Sequence, residues 1–147
     1  MNFVNSMKLS FISKSTNESF ARSAVAAFLL PLDPTVAEIA DVKTAVSEAV
    51  THAIVHAYPD TFGTVYIEAR LTDSGRAIIK IRDKGVGIAD IEQAMEPLYT
   101  TSTDERAGLG FAVMQSFMDK VTVRSAVGKG TTVTLEKNII RAAYGSR

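Results

Sequence analysis

Alternating apolar and polar residues predict five β-strands in this chain. The strands lie at residues 7–12, 65–71, 77–83, 120–126 and 131–136. Apolar side chains recur at every second position in these runs, as expected when one face of a strand is buried. Asp73-Ser74-Gly75 is a typical turn sequence between the second and third runs, so these two strands are expected to form a hairpin.

Apolar residues at helical spacing predict two longer helices in the first half of the chain. Asn17 is expected to cap the first helix, and Pro31 is expected to end it. Asp33 and Pro34 should begin the second helix, as an N-cap followed by proline at the first helical position, and this helix should reach about His56. The apolar stripes are Phe20, Ala24, Ala27 and Phe28 in the first helix and Ile39, Val46, Val50, Ala53 and Ile54 in the second.

The second half of the chain has a long polar stretch between two shorter helices. Residues 90–95 predict a short helix, and the remainder of 87–107 is irregular. Irregular segments of this length inside compact domains are usually functional lids or disordered. Gly108-Leu109-Gly110 then begins another helix. Its inward-facing residues are expected to be Leu109, Val113, Met114 and Phe117.

The order of these elements favours an α+β fold. Two helices follow the first strand, and the other strands come in pairs, so helices are separated from a mainly antiparallel sheet. We expect a two-layer sandwich with the helices on one face of the sheet. The 147 residues fit a single domain, with a core at about 7–137 and a tail at 138–147.

Composition excludes several classes of protein. The 16 basic and 16 acidic residues cancel, so the chain lacks the charge expected of a protein that binds nucleic acid or an anionic membrane. It has no cysteine, which excludes disulfides, thiolate metal sites and a cysteine nucleophile. The N-terminus lacks a secretory signal pattern, and no apolar run is long enough to span a bilayer. We therefore expect a cytoplasmic protein.

Asp83-Lys84-Gly85-Val86-Gly87, at the end of the third predicted strand, has the features of a nucleotide pocket. A carboxylate fixed at a strand end can accept a hydrogen bond from an exocyclic amine such as that of adenine, while glycines let the backbone pass beneath the base. One such charged hydrogen bond contributes about 1.5–3 kcal/mol. The alternative is an ordinary turn, because Asp, Lys and Gly are common turn residues.

Glu48 and His52 form a second candidate group. They are four residues apart on the second predicted helix, so both side chains project from one face, offset from the apolar stripe. A carboxylate at this position could act as a general base toward a hydroxyl or a water molecule. Taken alone, a solvated glutamate and histidine on a helix surface is the ordinary alternative.

The combination of these motifs is more specific than its parts. An acidic helix site, the Asp-x-Gly-x-Gly turn, a lid closed by Gly-x-Gly at a helix start, and Gly130-Thr131-Thr132 on a late strand occur in one order. This arrangement resembles the GHKL, or Bergerat-fold, ATP-binding family. Within that family the chain is most similar to the bacterial anti-sigma factor serine kinases of sporulation. The segments that carry this closer similarity are 17–22, 32–35, 46–51 and 105–111.

The resemblance implies a base pocket and a catalytic base. Glu48 would be the base that activates a substrate serine hydroxyl, and Asp83 would hold the adenine amine. Gly85 and Gly87 would form the floor of the base pocket. Thr131 would support Asp83 and adenine through its hydroxyl or a bridging water.

The resemblance also implies a phosphate site. Arg106 would reach the terminal phosphate, where charge develops during transfer, with a solvated surface arginine as the alternative. The hydroxyls of Thr100 and Thr101 would touch phosphate, with ordinary loop polarity as the alternative. Four backbone amides at a helix N-terminus would face the phosphates. They belong to Gly108, Leu109, Gly110 and Phe111.

His52 departs from the family pattern, which has asparagine at the Mg²⁺-coordinating position. Mg²⁺ prefers oxygen ligands in near-octahedral geometry, so an imidazole nitrogen should weaken metal binding or leave water between. We expect either a slowed kinase that uses phosphate and water as metal ligands, or one that accepts Mn²⁺ better, since imidazole suits softer divalent ions.

The resemblance implies an anti-sigma factor that is also a protein serine/threonine kinase. Such a protein binds and inhibits a sporulation sigma factor, and it uses ATP to phosphorylate a serine on its anti-anti-sigma antagonist. The family is homodimeric. Arg22 is the candidate partner contact, although an ion pair with Glu18 within the helix is the default interpretation of that spacing.

Several alternatives remain. One is an anti-sigma kinase of the general stress response, against which residues 17–22 and 33–34 argue. Another is a nucleotide-binding anti-sigma module with weak or no kinase activity because of His52. A sensor histidine kinase or mechanical ATPase would need further segments for which 147 residues leave no room. The last is an α+β interaction protein without nucleotide, which predicts no thermal shift with ATP or ADP.

Overall fold

A computed structural model describes residues 2–95 and 110–139 of the chain. The helices and strands are β1 (Phe3–Ile12), α1 (Asn17–Phe28), a 3₁₀ turn (Leu30–Leu32), α2 (Val36–His52), a π-helical segment (Ala53–Ala57), β2 (Thr64–Thr72), β3 (Arg76–Asp83), α3 (Ile91–Ala94), α4 (Gly110–Phe117), β4 (Lys120–Ala126) and β5 (Gly130–Asn138). Within these ranges five strands form one sheet in the order β1-β2-β3-β5-β4, and each neighbouring pair is antiparallel.

One face of the sheet is buried against the helices, which confirms the α+β fold. The buried apolar residues of β2 are Val65, Ile67, Ala69 and Leu71, with partly exposed residues between them. The register pairs Ile67 with Ile81 and Val65 with Asp83, so the apolar rows of β2 and β3 align. Asp83 therefore ends β3 in the buried row, directly beneath the helices.

The helix α1 packs on this face through a different stripe from the one predicted. Its buried residues are Ala21 and Val25, followed by Leu29, whereas Phe20 is 54% exposed. The Phe20 ring lies at the margin of the core, where it meets the ring of Phe11 edge to face at 6.3 Å between centroids. The helical period was recognised correctly, but the stripe was placed one position too early.

The predicted caps of α1 and α2 were both wrong. Asn17 is the first residue of α1, and its side-chain amide donates to the Ile12 carbonyl at 2.8 Å. Asp33 has φ 53°, a left-handed conformation that closes the 3₁₀ turn containing Pro31 and does not suit an N-cap. Thr35 caps α2 instead, since its hydroxyl accepts from the Glu38 amide at 3.0 Å while the Glu38 carboxylate accepts from the Thr35 amide.

Two further predictions about helix ends need correction. The α-helical part of α2 ends at His52, and the chain continues as the π-helical segment to Ala57. In α4 the buried side chains include Phe111 and Met114, whereas Phe117 is 37% exposed. The predicted inward position of Phe117 was therefore wrong, and Phe111 takes that role near the start of the helix.

The beginning of the predicted tail belongs to the folded core. Asn138 is the last residue of β5, and Ile139 is 1% exposed. The Ile139 amide donates to the Gly75 carbonyl in the β2–β3 turn at 2.8 Å. The prediction of a frayed tail from Asn138 was therefore wrong for these two residues. No helix in residues 2–95 or 110–139 combines the length and apolar character that crossing a membrane requires.

Candidate functional site

Asp83 is fixed at the end of β3 by two backbone amides. Its Oδ1 accepts from Gly85 N at 2.9 Å and from Thr131 N at 3.2 Å, and the residue is only 4% exposed. Burial raises the pKa of Asp83 above its ordinary value, and the two amide hydrogen bonds offset part of that effect. Among the described residues both contacts fall on Oδ1, so Oδ2 is the oxygen oriented to accept from an outside donor such as an exocyclic amine.

The glycines after Asp83 let the loop lie against two other elements. A Cβ at Gly85 would stand 2.1 Å from the Ala57 carbonyl oxygen, which also accepts from Val86 N at 2.9 Å. Gly87 has φ 78°, and a Cβ there would lie 2.2 Å from the Ala126 carbonyl oxygen. Both positions require glycine for this close backbone approach. Their contact with a base stays a prediction.

Thr131 contacts Asp83 through its backbone amide, while its hydroxyl bonds to Ser125. Its predicted role toward adenine, through the hydroxyl or a bridging water, stays a prediction. Its Oγ1 lies 2.7 Å from Ser125 Oγ. Ser125 Oγ in turn donates to the Gly130 carbonyl at 3.0 Å and accepts from Ile88 N at 2.7 Å. Because the single Ser125 proton goes to Gly130, the Thr131 hydroxyl is the donor in the pair.

Sequence reasoning missed Ser125. The signal was present, since Ser125 continues the partly buried row of Val121 and Val123 in β4 and places a hydroxyl where a third apolar side chain would be expected. Its three hydrogen bonds tie the loop after Asp83 to the β4–β5 turn. Ser125 therefore fixes these two segments of the candidate base pocket relative to each other.

Tyr58 is a second residue that sequence reasoning missed. Its hydroxyl donates to the Thr64 carbonyl at 2.7 Å and accepts from Lys84 N at 2.7 Å. A Cβ at Gly63 would lie 2.2 Å from the Tyr58 ring, so the ring packs flat on that glycine. Tyr58 thereby joins the end of the π-helical segment to the start of β2 and to the loop after β3. Its only sequence signal was an aromatic residue at a helix end.

Glu48 stands beside the first described residue of α4. A Cβ built on Gly110 would lie 3.4 Å from Glu48 Oε2, and α2 packs closely against α4. The N-terminal end of a helix carries unpaired amides and partial positive charge, which suits phosphate. The carboxylate is therefore placed next to the end of α4 that the resemblance assigns to phosphate binding.

His52 lies one turn further along α2, packed between two rings. Its centroid is 5.4 Å from that of His56 and 5.3 Å from that of Phe111. Burial, and secondly the neighbouring His56, lower the pKa of His52 to about 4, so the imidazole is neutral at pH 7.

The residues present do not fit Mg²⁺ at His52. A neutral imidazole packed against two rings offers a nitrogen ligand where this hard cation prefers oxygen. Within residues 2–95 and 110–139 no group of three or more His, Cys, Asp or Glu side chains could hold a metal ion.

Most described candidates are linked through contacts between neighbouring elements. Helix α2 places two of them beside the start of α4, and its π-helical continuation contacts the loop after β3. The candidates brought together in this way are Glu48, His52, Asp83, Gly85, Gly87, Gly110, Phe111 and Thr131. The candidates outside the described residues are Thr100, Thr101, Arg106, Gly108 and Leu109.

Arg22 forms the ion pair that its spacing predicted. Its Nη1 lies 3.1 Å from Glu18 Oε1, and its side chain is 40% exposed. The same Glu18 oxygen accepts a hydrogen bond from the hydroxyl of Ser47, which precedes Glu48 on α2. Arg22 is therefore positioned by a contact that runs from α1 to the turn of α2 carrying Glu48.

Comparison with known sequences gives a consistent family. A model of the histidine kinase-like ATPase domain matches residues 13–137. The chain is 55% identical over 142 residues to the anti-sigma F factor of Caldanaerobacter subterraneus subsp. tengcongensis, covering 96% of this chain and 99% of that protein. It is 56% identical over 135 residues to the anti-sigma F factor of Clostridium beijerinckii, covering 90% of this chain and 94% of that protein.

Solved structures with low sequence identity share the fold. The RsbU and RsbW domains of a Mycobacterium tuberculosis protein superpose with a TM-score of 0.68 at 17% identity, over 94% of this chain and 33% of that chain. The histidine kinase domain of a blue-light activated histidine kinase from Erythrobacter litoralis superposes with a TM-score of 0.55 at 15% identity, over 88% of this chain and 63% of that chain.

These matches span nearly the whole chain and the whole of its curated relatives. The matched domain is an ATPase domain, which implies nucleotide binding, and the relatives are anti-sigma factors. The surface formed by α2, α4 and the loop after Asp83 lies within the matched residues. The chain therefore belongs to the anti-sigma F factor family, within the histidine kinase-like ATPase domains.

Proposed function

We propose that the protein inhibits a sporulation sigma factor of the sigma F type and uses ATP to phosphorylate a serine on its anti-anti-sigma antagonist. The relatives with more than half of their residues identical are named anti-sigma F factors, and the matched domain is an ATPase domain. The observation that carries the kinase proposal is the place of Glu48, whose carboxylate lies 3.4 Å from a Cβ position on Gly110 at the start of α4.

In this proposal the nucleotide lies between Asp83 and Glu48. Asp83 Oδ2 accepts from the exocyclic amine of adenine, while its Oδ1 stays bonded to the Gly85 and Thr131 amides. In the same orientation guanine would present a carbonyl oxygen to the carboxylate, so adenine is favoured. The phosphates extend toward the amides at the start of α4, where the helix dipole stabilises their charge.

Transfer then proceeds by direct attack of the serine hydroxyl. Glu48 accepts the hydroxyl proton as the serine oxygen forms its bond to the γ-phosphorus. The bond between that phosphorus and the bridging oxygen breaks, and ADP leaves with the electron pair. The products are phosphoserine and ADP, and the proton remains on Glu48 until solvent removes it.

The proposal includes a single domain whose core reaches Ile139, a homodimer and a cytoplasmic location beside the transcription machinery. It also includes a divalent cation delivered with the nucleotide and held by phosphate and water. Arg106, Thr100 and Thr101 keep their predicted roles toward phosphate. Arg22 keeps its role as a partner contact, and the 40% exposed side chain leaves its guanidinium accessible despite the pair with Glu18.

The direct test is incubation with labelled ATP and a candidate antagonist, followed by detection of phosphoserine on the antagonist. Glu48→Gln should abolish transfer and leave ADP binding intact, because the amide cannot accept the proton. Glu68→Gln is the control, since Glu68 pairs with Arg70 at 3.1 Å on the opposite face of the sheet. The kinase proposal is wrong if the wild-type protein binds ADP and inhibits sigma factor but labels no antagonist.

A second candidate function is a nucleotide-binding anti-sigma module without appreciable transfer. The packed, neutral His52 favours it, because the resemblance leads us to expect an amide oxygen at this position. Transfer rates in Mg²⁺ and in Mn²⁺ should be compared for the wild type and for His52→Asn. We expect His52→Asn to accelerate transfer in Mg²⁺ more than in Mn²⁺. Equal rates for both proteins in both metals would discard any effect of His52.

A further inference from the structure

Tyr58 ends the helix that carries the proposed catalytic base. Helix α2 continues from Val36–His52 directly into the π-helical segment, and Tyr58 follows that segment with φ −125° and ψ 67°, outside the helical range. π-Helical turns occur frequently at functional sites. Glu48 lies on the same continuous helix, so any segment that Tyr58 contacts is tied to the element that carries Glu48.

The Tyr58 hydroxyl bridges two segments that are distant from each other in the chain. It donates to the Thr64 carbonyl at 2.7 Å and accepts from Lys84 N at 2.7 Å, so its single proton and one of its lone pairs are both used. The Lys84 amide is the first amide after Asp83. Tyr58 therefore fixes the start of the loop after β3 to the end of the helix and to the start of β2.

The loop after Asp83 depends on contacts with other elements for its position. Residues 84–90 form neither a helix nor a strand. Lys84 N donates to the Tyr58 hydroxyl, and Val86 N donates to Ala57 O at 2.9 Å. Both acceptors lie at the end of the helix that carries the catalytic carboxylate. The position of the proposed base pocket relative to that carboxylate is therefore set by these two contacts.

Gly63 leaves the space that the Tyr58 ring occupies. A Cβ at Gly63 would lie 2.2 Å from Cε1 and 2.3 Å from Cζ of the ring, and Cζ is the carbon that bears the hydroxyl. The backbone of Gly63 pairs with Ser13, since its amide donates to Ser13 Oγ and its carbonyl accepts from Ser13 N. An alanine would keep both of these bonds. A methyl group at position 63 would therefore displace the Tyr58 ring.

We propose that Tyr58 is a positioning residue for the nucleotide, whose hydroxyl holds the loop after Asp83 in the conformation that receives the base. This role deepens the function proposed above and rests on the base pocket proposed there. Tyr58 acts through the Lys84 amide, so it sets the fraction of the protein whose loop is ready to bind. When that fraction falls, the apparent Kd rises in proportion.

Tyr58→Phe removes the hydroxyl and keeps the ring. Lys84 N loses its acceptor and Thr64 O loses its donor, so the Kd for ADP should rise about five- to tenfold in calorimetric titration. Tyr66→Phe is the matched control, because it removes the same atom from a ring whose face Arg82 and Lys84 contact. Phenylalanine keeps that ring face, so the Kd of the control should stay within twofold of the wild-type value.

Gly63→Ala tests the same contact without changing the tyrosine. The added methyl group displaces the ring, so the Kd for ADP should rise by a similar factor although residue 63 lies outside the loop after β3. The effects of Tyr58→Phe and Gly63→Ala should not add in the double variant, since both remove one contact. Ile139→Ala is the control for lost stability, because Ile139 is buried at the opposite end of β3 from Asp83.

Hydrogen exchange without nucleotide separates a local effect of Tyr58→Phe from a global one. The amides of Lys84 and Val86 should exchange faster by a larger factor than those of Ile67 and Ile79 in the central strands, because only the loop loses its anchor. In the transfer reaction KM for ATP should rise by the same factor as the Kd for ADP. The value of kcat should change less than about twofold, since bound nucleotide restores the loop.

Four results would overturn this role of Tyr58. If the wild type binds ADP and the Kd for Tyr58→Phe and Gly63→Ala stays within twofold, the loop does not depend on the tyrosine. If Ile139→Ala weakens ADP binding equally, or if exchange accelerates uniformly, the effect is one of stability. If kcat falls while the Kd for ADP is unchanged, Tyr58 acts in transfer. Absence of ADP binding by the wild type would instead contradict the base pocket itself.

Discussion

At the residue scale, the position of Asp83 explains how a carboxylate can be both buried and oriented. The register places it opposite Val65 in the buried row of the sheet, and two amides fix Oδ1. Residues far apart in the chain supply these contacts, since Thr131 lies on β5 and Gly85 follows β3. The position of the acid at a strand end was predictable from the strand pattern, whereas its contact with the Thr131 amide was not.

Asp83→Asn should weaken ADP binding more than it weakens the fold. The asparagine oxygen can still accept from Gly85 N and Thr131 N, but its amide presents a donor to the donor amine of adenine. Loss of one charged hydrogen bond corresponds to about 1.5–3 kcal/mol, or roughly ten- to a hundredfold in Kd. Calorimetric titration with ADP measures this. Asp60→Asn, in an exposed loop, is the control, and equal affinities for all three proteins would contradict the assignment.

His52 should make the fold less stable in mild acid. Its pKa is lowered from 6.5 to about 4, so between these values the unfolded chain binds a proton that the folded chain does not. The stability that the neutral His52 contributes is therefore fully present above pH 6.5 and is lost as the pH falls toward 4. The loss due to this group is about 2 kcal/mol between pH 7 and pH 5. Along the helix, His52 is flanked by two titratable residues: Glu48 one turn before it and His56 one turn after it.

Urea unfolding of the wild type and of His52→Asn at pH 7 and pH 5 measures this contribution. The difference in unfolding free energy between the two pH values should be about 2 kcal/mol smaller in His52→Asn. Groups that do not contact His52 titrate equally in both proteins and cancel in the comparison. Parallel pH profiles for the two proteins would mean that His52 is not desolvated in the folded state.

At the scale of elements, local pattern located the α-helices and strands in residues 2–95 and 110–139 but misplaced several of their ends. Asp33-Pro34 satisfies the local rule for a helix start, yet the preceding 3₁₀ turn leaves Asp33 in a left-handed conformation. The π-helical segment could not be predicted at all, because it depends on distant contacts. The Ala57 carbonyl at its end accepts from Val86 N, and Gly85 packs against that same oxygen.

Thr35→Ala should destabilise the protein because it removes the side-chain cap of α2. The Thr35 hydroxyl accepts from the Glu38 amide at 3.0 Å, and removal of such a cap costs about 1 kcal/mol. Ser116→Ala is a matched control, because the Ser116 hydroxyl donates to Ala112 O within α4 and fills no cap. The control should change stability by less than about 0.5 kcal/mol. Equal effects in urea unfolding would contradict the capping box.

At the scale of the whole molecule, strand order depends on information that the hydrophobic pattern lacks. Alternation predicts β4 and β5 as consecutive strands, but it does not say which of the two pairs with β3. In the structure β5 takes that position, which brings Thr131 to Asp83. The sequence pattern therefore located the candidate groups, while the sheet order determines that they meet.

Because of the same strand order, Ile139 packs into the end of the core that lies at the β2–β3 turn. β5 runs beside β3 toward the β2–β3 turn, so the residue after its last one reaches that turn and donates to Gly75 O at 2.8 Å. Ile139 is 1% exposed, and Ile139→Ala should lower the free energy of unfolding by about 2–4 kcal/mol through loss of packing and a cavity.

Urea unfolding measures this change, with Val127→Ala as the control, because Val127 is 68% exposed and should matter by less than about 0.5 kcal/mol. ADP affinity should be unchanged in Ile139→Ala, since Ile139 lies at the opposite end of β3 from Asp83. A stability loss for Ile139→Ala no larger than that for Val127→Ala would mean that the chain after β5 is not part of the core in solution.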